Sequence, residues 1–152
     1  MRDKLLLGED LSETVTGLIG EYICLASILE RGWKAAHCPQ DKVDVICWSE
    51  EGQYLRVQVK SSHINTEGGR RAPNYHFQNG SGSAKKKLPT IQTYDVLAHV
   101  AINHRKVVFY PVESINQFSK RYNTQFFEKE DIEHLSWSKT LHVINDRSGR
   151  RN

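Results

Sequence analysis

Two runs of β character on either side of a short polar loop constrain this chain more than any other stretch. Residues 43–48 and 54–61 are rich in Val, Ile, Tyr and Trp, and between them lie Ser49, Glu50, Glu51, Gly52 and Gln53. That pattern predicts a hairpin. A five-residue loop sets its register, placing Trp48 opposite Tyr54, Ile46 opposite Arg56 and Asp44 opposite Gln58. Side chains alternate along strands, so Gln58 and Lys60 share one face while Leu55, Val57 and Val59 take the other. Directly opposed residues project to the same side about 5 Å apart, which brings Asp44 beside Gln58, with Lys60 one diagonal step away. A one-residue slip would break this cluster.

Upstream, residues 12–31 read as a helix, with Ser12 or Thr14 able to cap its start and Gly32 following its end. Leu18, Tyr22, Leu25 and Leu29 fall on one face beside Ile19, Ile23 and Ala26. A stripe that wide predicts a helix buried against more than one neighbour. Gly17, Gly20, Glu21 and Cys24 share another face. Each glycine costs about 1 kcal/mol relative to alanine, a cost that close backbone approach would offset. Further strands are expected at 33–38, 75–78, 95–102 and 106–112, and helical segments at 113–121 and 127–135. Residues 146–152 read as a frayed basic tail. The order predicts one α/β domain over residues 1–152, a mixed central sheet flanked by helices, carrying a long basic insertion at about 62–90.

Charge distribution points to the partner. Between residues 56 and 90 there are seven Lys/Arg against the single acid Glu67, so this segment carries +6 in a protein of net charge +3. One concentrated positive segment on a mildly acidic remainder suggests a polyanion, although a solvated loop would also show it. Within it, Arg70, Arg71, Asn74, His76 and Gln78 suit base edges or phosphates, and Lys85, Lys86 and Lys87 suit phosphates. A strand at 75–78 could form part of a β-ribbon lying in a DNA groove.

Cys24, Cys38 and Cys47 form no CxxC pair, their odd number argues against a disulfide framework, and the absence of a closely spaced Cys/His quartet argues against structural zinc. His99 falls in an expected strand and His104 in a turn, His37, His134 and His142 have no partner at metal-ligand spacing, and Trp33, Trp48 and Trp137 read as core or interface anchors. No apolar run approaches the roughly 20 residues that cross a bilayer, and no leader pattern is visible. The expectation is an intracellular protein with no membrane partner.

A carboxylate beside an amide carbonyl is a hard-oxygen arrangement suited to Mg²⁺, and an adjacent ammonium can stabilise charge on a phosphoryl oxygen. A structural Asp–Lys pair on a half-exposed strand would show the same spacing. The combined motifs are more specific. Gly17-x-x-Gly20-Glu21 on a first helix, then Asp44-Val45-Ile46, then Gln58-Val59-Lys60-Ser61, resembles the PD-(D/E)xK nuclease superfamily. Within it, the chain resembles the branch of small homing endonucleases associated with group I introns in cyanobacteria and their phages. The resemblance spans about residues 17–112 and is strong over 17–61.

That resemblance implies a restriction-endonuclease-like core and Mg²⁺-dependent hydrolysis of DNA phosphodiesters, with Mn²⁺ able to substitute. It implies catalytic roles for Glu21, Asp44, Gln58 and Lys60. Asp44 and the Val59 backbone carbonyl would bind the metal, with Glu21 contributing through water. Two departures stand out: Gln58 fills the slot of the usual second acid, as it does in the intron-associated branch, and Val43 stands where the motif has proline. Cleaving both strands needs two sites, which implies a homodimer or homotetramer, with residues 126–144 a candidate interface. The cytoplasm of a bacterial or phage-infected cell is the implied compartment. The competing readings are a Holliday-junction resolvase, a non-cleaving DNA-binding module and a protein-interaction domain.

Overall fold

The computed structural model describes residues 12–66, 72–81 and 86–150. Helix α1 (Glu13–Glu30) is capped by Ser12, whose side chain accepts from the Val15 N–H, and Gly32 follows it at φ +86°. Strands β1 (Lys34–His37), β2 (Val45–Trp48) and β3 (Tyr54–Ser62) form an antiparallel meander. The β2–β3 register pairs Trp48 with Tyr54 and Ile46 with Arg56, as the five-residue loop requires. After β4 (Asn74–Gln78), strand β5 (Val96–Ala101) returns parallel to β3, and β6 (Lys106–Pro111) turns back against β5. The result is a mixed five-stranded sheet in the order β1-β2-β3-β5-β6.

Val45, Cys47, Val57, Val59, Ala98, Val107 and Phe109 face one side, where they enclose Cys24 and Ile28 of α1 and Trp137 and Ile144 of helix α2 (Ile132–Arg150). Trp33 meets Trp137 edge-on at 5.4 Å between ring centroids, and Ser27 hydrogen-bonds Glu133 to tie the helices together. The opposite face is covered by a two-stranded ribbon of β4 and β7 (Ser119–Asn123), through Tyr75, Phe77 and Tyr122. The described residues therefore stack as helices, sheet and ribbon.

Four expectations need correction. Residues 113–121 are not helical. A short 3-10 turn, Val112–Ser114, precedes β7, whose strand geometry comes from pairing with the distant β4. Its exposed polar residues gave no period-2 signal, and tertiary pairing decided the outcome. Residues 127–135 are split between a 3-10 turn, Thr124–Glu128, and the start of α2.

Helix α2 also continues through the expected tail at 146–150. There Arg147 reaches Asp95 at 3.0 Å and Glu113 at 2.6 Å. Burial alone would raise the Asp95 pKa, but hydrogen bonds from Arg56 and Arg147 outweigh it and hold the carboxyl below its ordinary value.

The fourth correction concerns α1. Its inward residues are Thr16, Gly20, Cys24, Ser27 and Ile28, whereas Leu18, Tyr22 and Leu29 face outward, each 42–53% exposed. Only one of its two glycines marks a close approach. A Cβ on Gly20 would lie 1.7 Å from Ser61 Oγ and 2.8 Å from Ser61 Cβ, while one on Gly17 would meet nothing within 4 Å.

Candidate active site

The predicted residues converge where β2 ends and β3 continues. Asp44 stands just before β2, and its backbone N–H still donates to the Val57 carbonyl at 2.9 Å. Beyond that point its side chain replaces the missing strand: Oδ2 accepts from Val59 N–H at 2.8 Å and from the Gln58 amide at 2.9 Å. Strand alternation turns the Val59 carbonyl to the same edge as that of Val57, past the last paired residue of β2. The expected neighbourhood of Asp44, Gln58 and Val59 is therefore formed.

Lys60 lies one step further along β3, half-buried, between two grooves. One is lined by Lys42, Gln58, Asn79, Ser81 and Tyr94, the other by Thr16, Gly17, Ser61 and His63. Burial lowers the Lys60 pKa; Asp44 opposes that, and Lys42 and Lys86 reinforce it. For Asp44, burial is the largest influence and raises its pKa. The Val59 hydrogen bond pulls the other way, Glu21 adds to the rise, and Lys60 and His37 reduce it. Glu21, Asp44, Lys60 and His37 thus share one electrostatic neighbourhood.

Glu21 reaches this edge from α1, pressed in by the contact of Gly20 with Ser61 on β3. Its carboxylate is 2.7 Å from His37 Nε2, and both side chains are about four-fifths buried. His37 is the residue that sequence spacing missed, because it is brought to Glu21 by β1, whose register sets His37 against Val45. Lys42 was missed too; its one signal is its place two residues before Asp44.

The DNA-binding candidates divide. Arg70, Arg71 and Lys85 lie outside the described residues. Asn74 is buried, donating to the Ala72 carbonyl and accepting from Arg121 at 3.2 Å. His76 is half-buried and Gln78 exposed on the outer side of the ribbon, with Arg121 opposite His76 and Ser119 opposite Gln78. Lys86 is exposed and donates to Gln78 at 3.2 Å, and Lys87 pairs through its backbone with Ser81. Arg121 ends the segment expected to be helical, so its place on this face emerges only from the β4–β7 pairing.

Beneath the ribbon, a directed hydrogen-bond chain locks it to the sheet. Tyr110 and Tyr122 hydroxyls meet at 2.5 Å, Tyr122 meets His99 Nδ1 at 2.9 Å, and His99 Nε2 meets Asn79 Oδ1 at 2.7 Å. Burial holds the His99 pKa down at about 3, so the ring is neutral.

No protein-family model matches the chain, and no curated protein matches it. Among solved structures it is similar to the bacterial homing endonuclease I-Ssp6803I, with a TM-score of 0.64 over 91% of this chain and 97% of that one, at 17% identity. The fold is that of a bacterial homing endonuclease. The agreement covers nearly the whole length of both chains, so sheet, helices and ribbon belong to one architecture.

The donor set at this edge suits a divalent cation of the hard-oxygen kind. Among the described residues, no three His, Cys, Asp or Glu side chains converge as a metal site. The available donors are the second oxygen of Asp44, the Val59 carbonyl and, at longer reach, Glu21. Mg²⁺ is suited to such a set, because it binds through one or two carboxylates and otherwise keeps water and substrate phosphate oxygens. No helix among the described residues is long and apolar enough to cross a membrane.

Proposed function

We propose that this protein is a metal-dependent DNA endonuclease of the PD-(D/E)xK type, a site-specific homing endonuclease that cuts both strands. The observation that carries the reading is the junction at Asp44: one carboxylate oxygen is tied to Gln58 and Val59, leaving the other for a cation beside Lys60. The nuclease-like fold supports it, as does the basic approach formed by Lys42, Lys60 and Lys86.

Asp44, the Val59 carbonyl and Glu21 would hold Mg²⁺ or Mn²⁺, which when bound supplies Lewis-acid charge at the phosphate and a more acidic water. Lys60 places its ammonium where negative charge grows on the phosphoryl oxygen, in a half-buried setting that strengthens the interaction. Gln58 orients Asp44 by donating to Oδ2, so the amide in place of the usual acid serves position rather than charge. Glu21, held by His37, is set to accept a hydrogen bond from water at the site. The products would carry 5′-phosphate and 3′-hydroxyl ends. Two such sites acting together require a homodimer or homotetramer.

The test is cleavage of a large mixed DNA pool with Mg²⁺ by wild type, Asp44→Asn and Lys60→Met. Discrete cuts that fall by about a hundredfold or more in both variants are expected. Folded wild-type protein that binds DNA yet cuts nothing with Mg²⁺ or Mn²⁺ would replace this reading with that of a non-cleaving binding module.

A further inference from the structure

Helix α1 turns much of its apolar surface outward. Of its buried residues Thr16, Gly20, Cys24 and Ser27 are small or polar and only Ile28 is large and apolar, while Val15, Leu18, Tyr22 and Leu29 are 42%, 42%, 53% and 48% exposed. With Leu25, half-buried between them, these residues recur at spacings of three, four, three and four. That is the seam by which one helix packs on another of the same kind. Ile19 and Ala26 flank the seam, and the stripe itself bears no charge. Glu21, the acid nearest it, is occupied by His37.

We propose that this face is where two copies of the chain associate, α1 against α1. A second copy fits for three reasons. The seam is complementary to itself, since packing two such helices face to face meets apolar with apolar along the whole length. It also carries no charge to repel its own image across a two-fold axis. The exposed halves of the four large side chains amount to about 350 Å² per copy, within the range of functional surface patches. A symmetric pair would cover about 700 Å² from these residues alone, over half of the roughly 1,200 Å² at the low end of stable interfaces. A stable contact would therefore have to take in their immediate neighbours as well.

The surface is also continuous with the site. Tyr22 stacks on His37, ring centroids 4.9 Å apart, and His37 in turn holds Glu21. A second copy seated on Tyr22 would shield that pair from water on both protomers. The proposal rests on the two-site nuclease reading only for its purpose, and its test is independent of cleavage.

Sedimentation equilibrium of the full chain should give at least twice the chain mass for the wild type. Leu18→Glu and Leu29→Glu, both at exposed positions, should each lower that mass at least twofold with unchanged circular dichroism. Leu135→Glu alters the exposed side of α2, within residues 126–144, and should leave the mass unchanged. Asp44→Asn should also keep the wild-type mass, so loss of cutting and loss of association are read separately. A monomeric wild type overturns the proposal, whatever else binds the face. So does an assembly that survives both α1 changes or dissociates with Leu135→Glu. Should both glutamate variants misfold, a Tyr22→Cys, Cys38→Ser protein provides the second measurement: a disulfide-linked dimer under mild oxidation supports the pairing, and its absence overturns it.

Discussion

Lys60 and His99 are register partners on adjacent parallel strands, and their side chains project from the same face of the sheet. One lies half-buried at the candidate site. The other is fully enclosed, stacked on Phe77 at 4.3 Å, and joins the sheet to the ribbon through Tyr122 and Asn79. The ribbon that carries DNA-reading candidates is therefore fastened one strand away from the candidate catalytic lysine.

His99→Phe should cost a few kcal/mol of folding stability, because it leaves the Asn79 carbonyl and the Tyr122 hydroxyl without their buried partner. The acid response has a defined sign. The folded-state pKa of about 3 lies below the ordinary 6.5, so the unfolded chain binds a proton first as pH falls. Wild type should lose up to about 1.4 kcal/mol per pH unit from this group between those values. Urea midpoints at pH 7.5 and 5 should fall further for wild type than for His99→Phe; equal falls would remove this role.

Asp44 behaves in the opposite sense. Its folded pKa is raised, chiefly by burial, so its contribution to stability is complete below the unfolded carboxylate pKa and is lost as pH rises through the folded value. Asp44→Asn keeps an oxygen for Val59 and Gln58 but sheds the buried charge. Its melting temperature should exceed that of wild type at pH 7.5 without divalent ions, and the gap should close under acid conditions. Added Mg²⁺ should stabilise wild type alone, and an equal rise in both proteins would argue against a cation at Asp44.

The two glycines of α1 should part company. Gly17→Ala has open space and should stabilise the helix by up to about 1 kcal/mol. Gly20→Ala must displace Ser61 on β3, and should destabilise the protein and shift Glu21 away from the site. Thermal melts check the first effect, and cleavage by Gly20→Ala checks the second. A fully active, stable Gly20→Ala protein would mean that Glu21 need not be held so closely.

On the DNA side, Lys86→Ala should weaken binding across all sequences and reduce the slope of log affinity against log salt by about 1. Arg121→Ala should relax sequence preference at a cost of about 1–3 kcal/mol for the preferred site. Binding of a randomised duplex pool at several salt concentrations distinguishes these outcomes; uniform, sequence-independent loss from both changes would abolish the distinction.

The hairpin was legible because loop length and alternation act locally: five residues between strands fix which side chains meet. Asp44 beside Gln58 followed from that alone. His37 and Arg121 were not legible, since each is delivered by pairing between segments whose own residues carry no register information about their partners. The outward seam of α1 misled for a different reason. A wide apolar stripe announces a buried surface, but burial within the chain and burial between chains leave the same mark in a single sequence.

One oxygen of Asp44 does the work of a backbone carbonyl just before β2, so under the proposed function a fold contact and the chemistry would draw on the same carboxylate. Removing the side chain altogether would conflate two injuries, a frayed strand end and, under the proposed function, the loss of a metal ligand. Survival of folding and survival of cutting are thus statistically entangled at this position. A mutational scan scored by abundance would class it as architecture, and one scored by cleavage would class it as machinery. Only the comparison of amide with methyl, Asp44→Asn against Asp44→Ala, pulls the two apart.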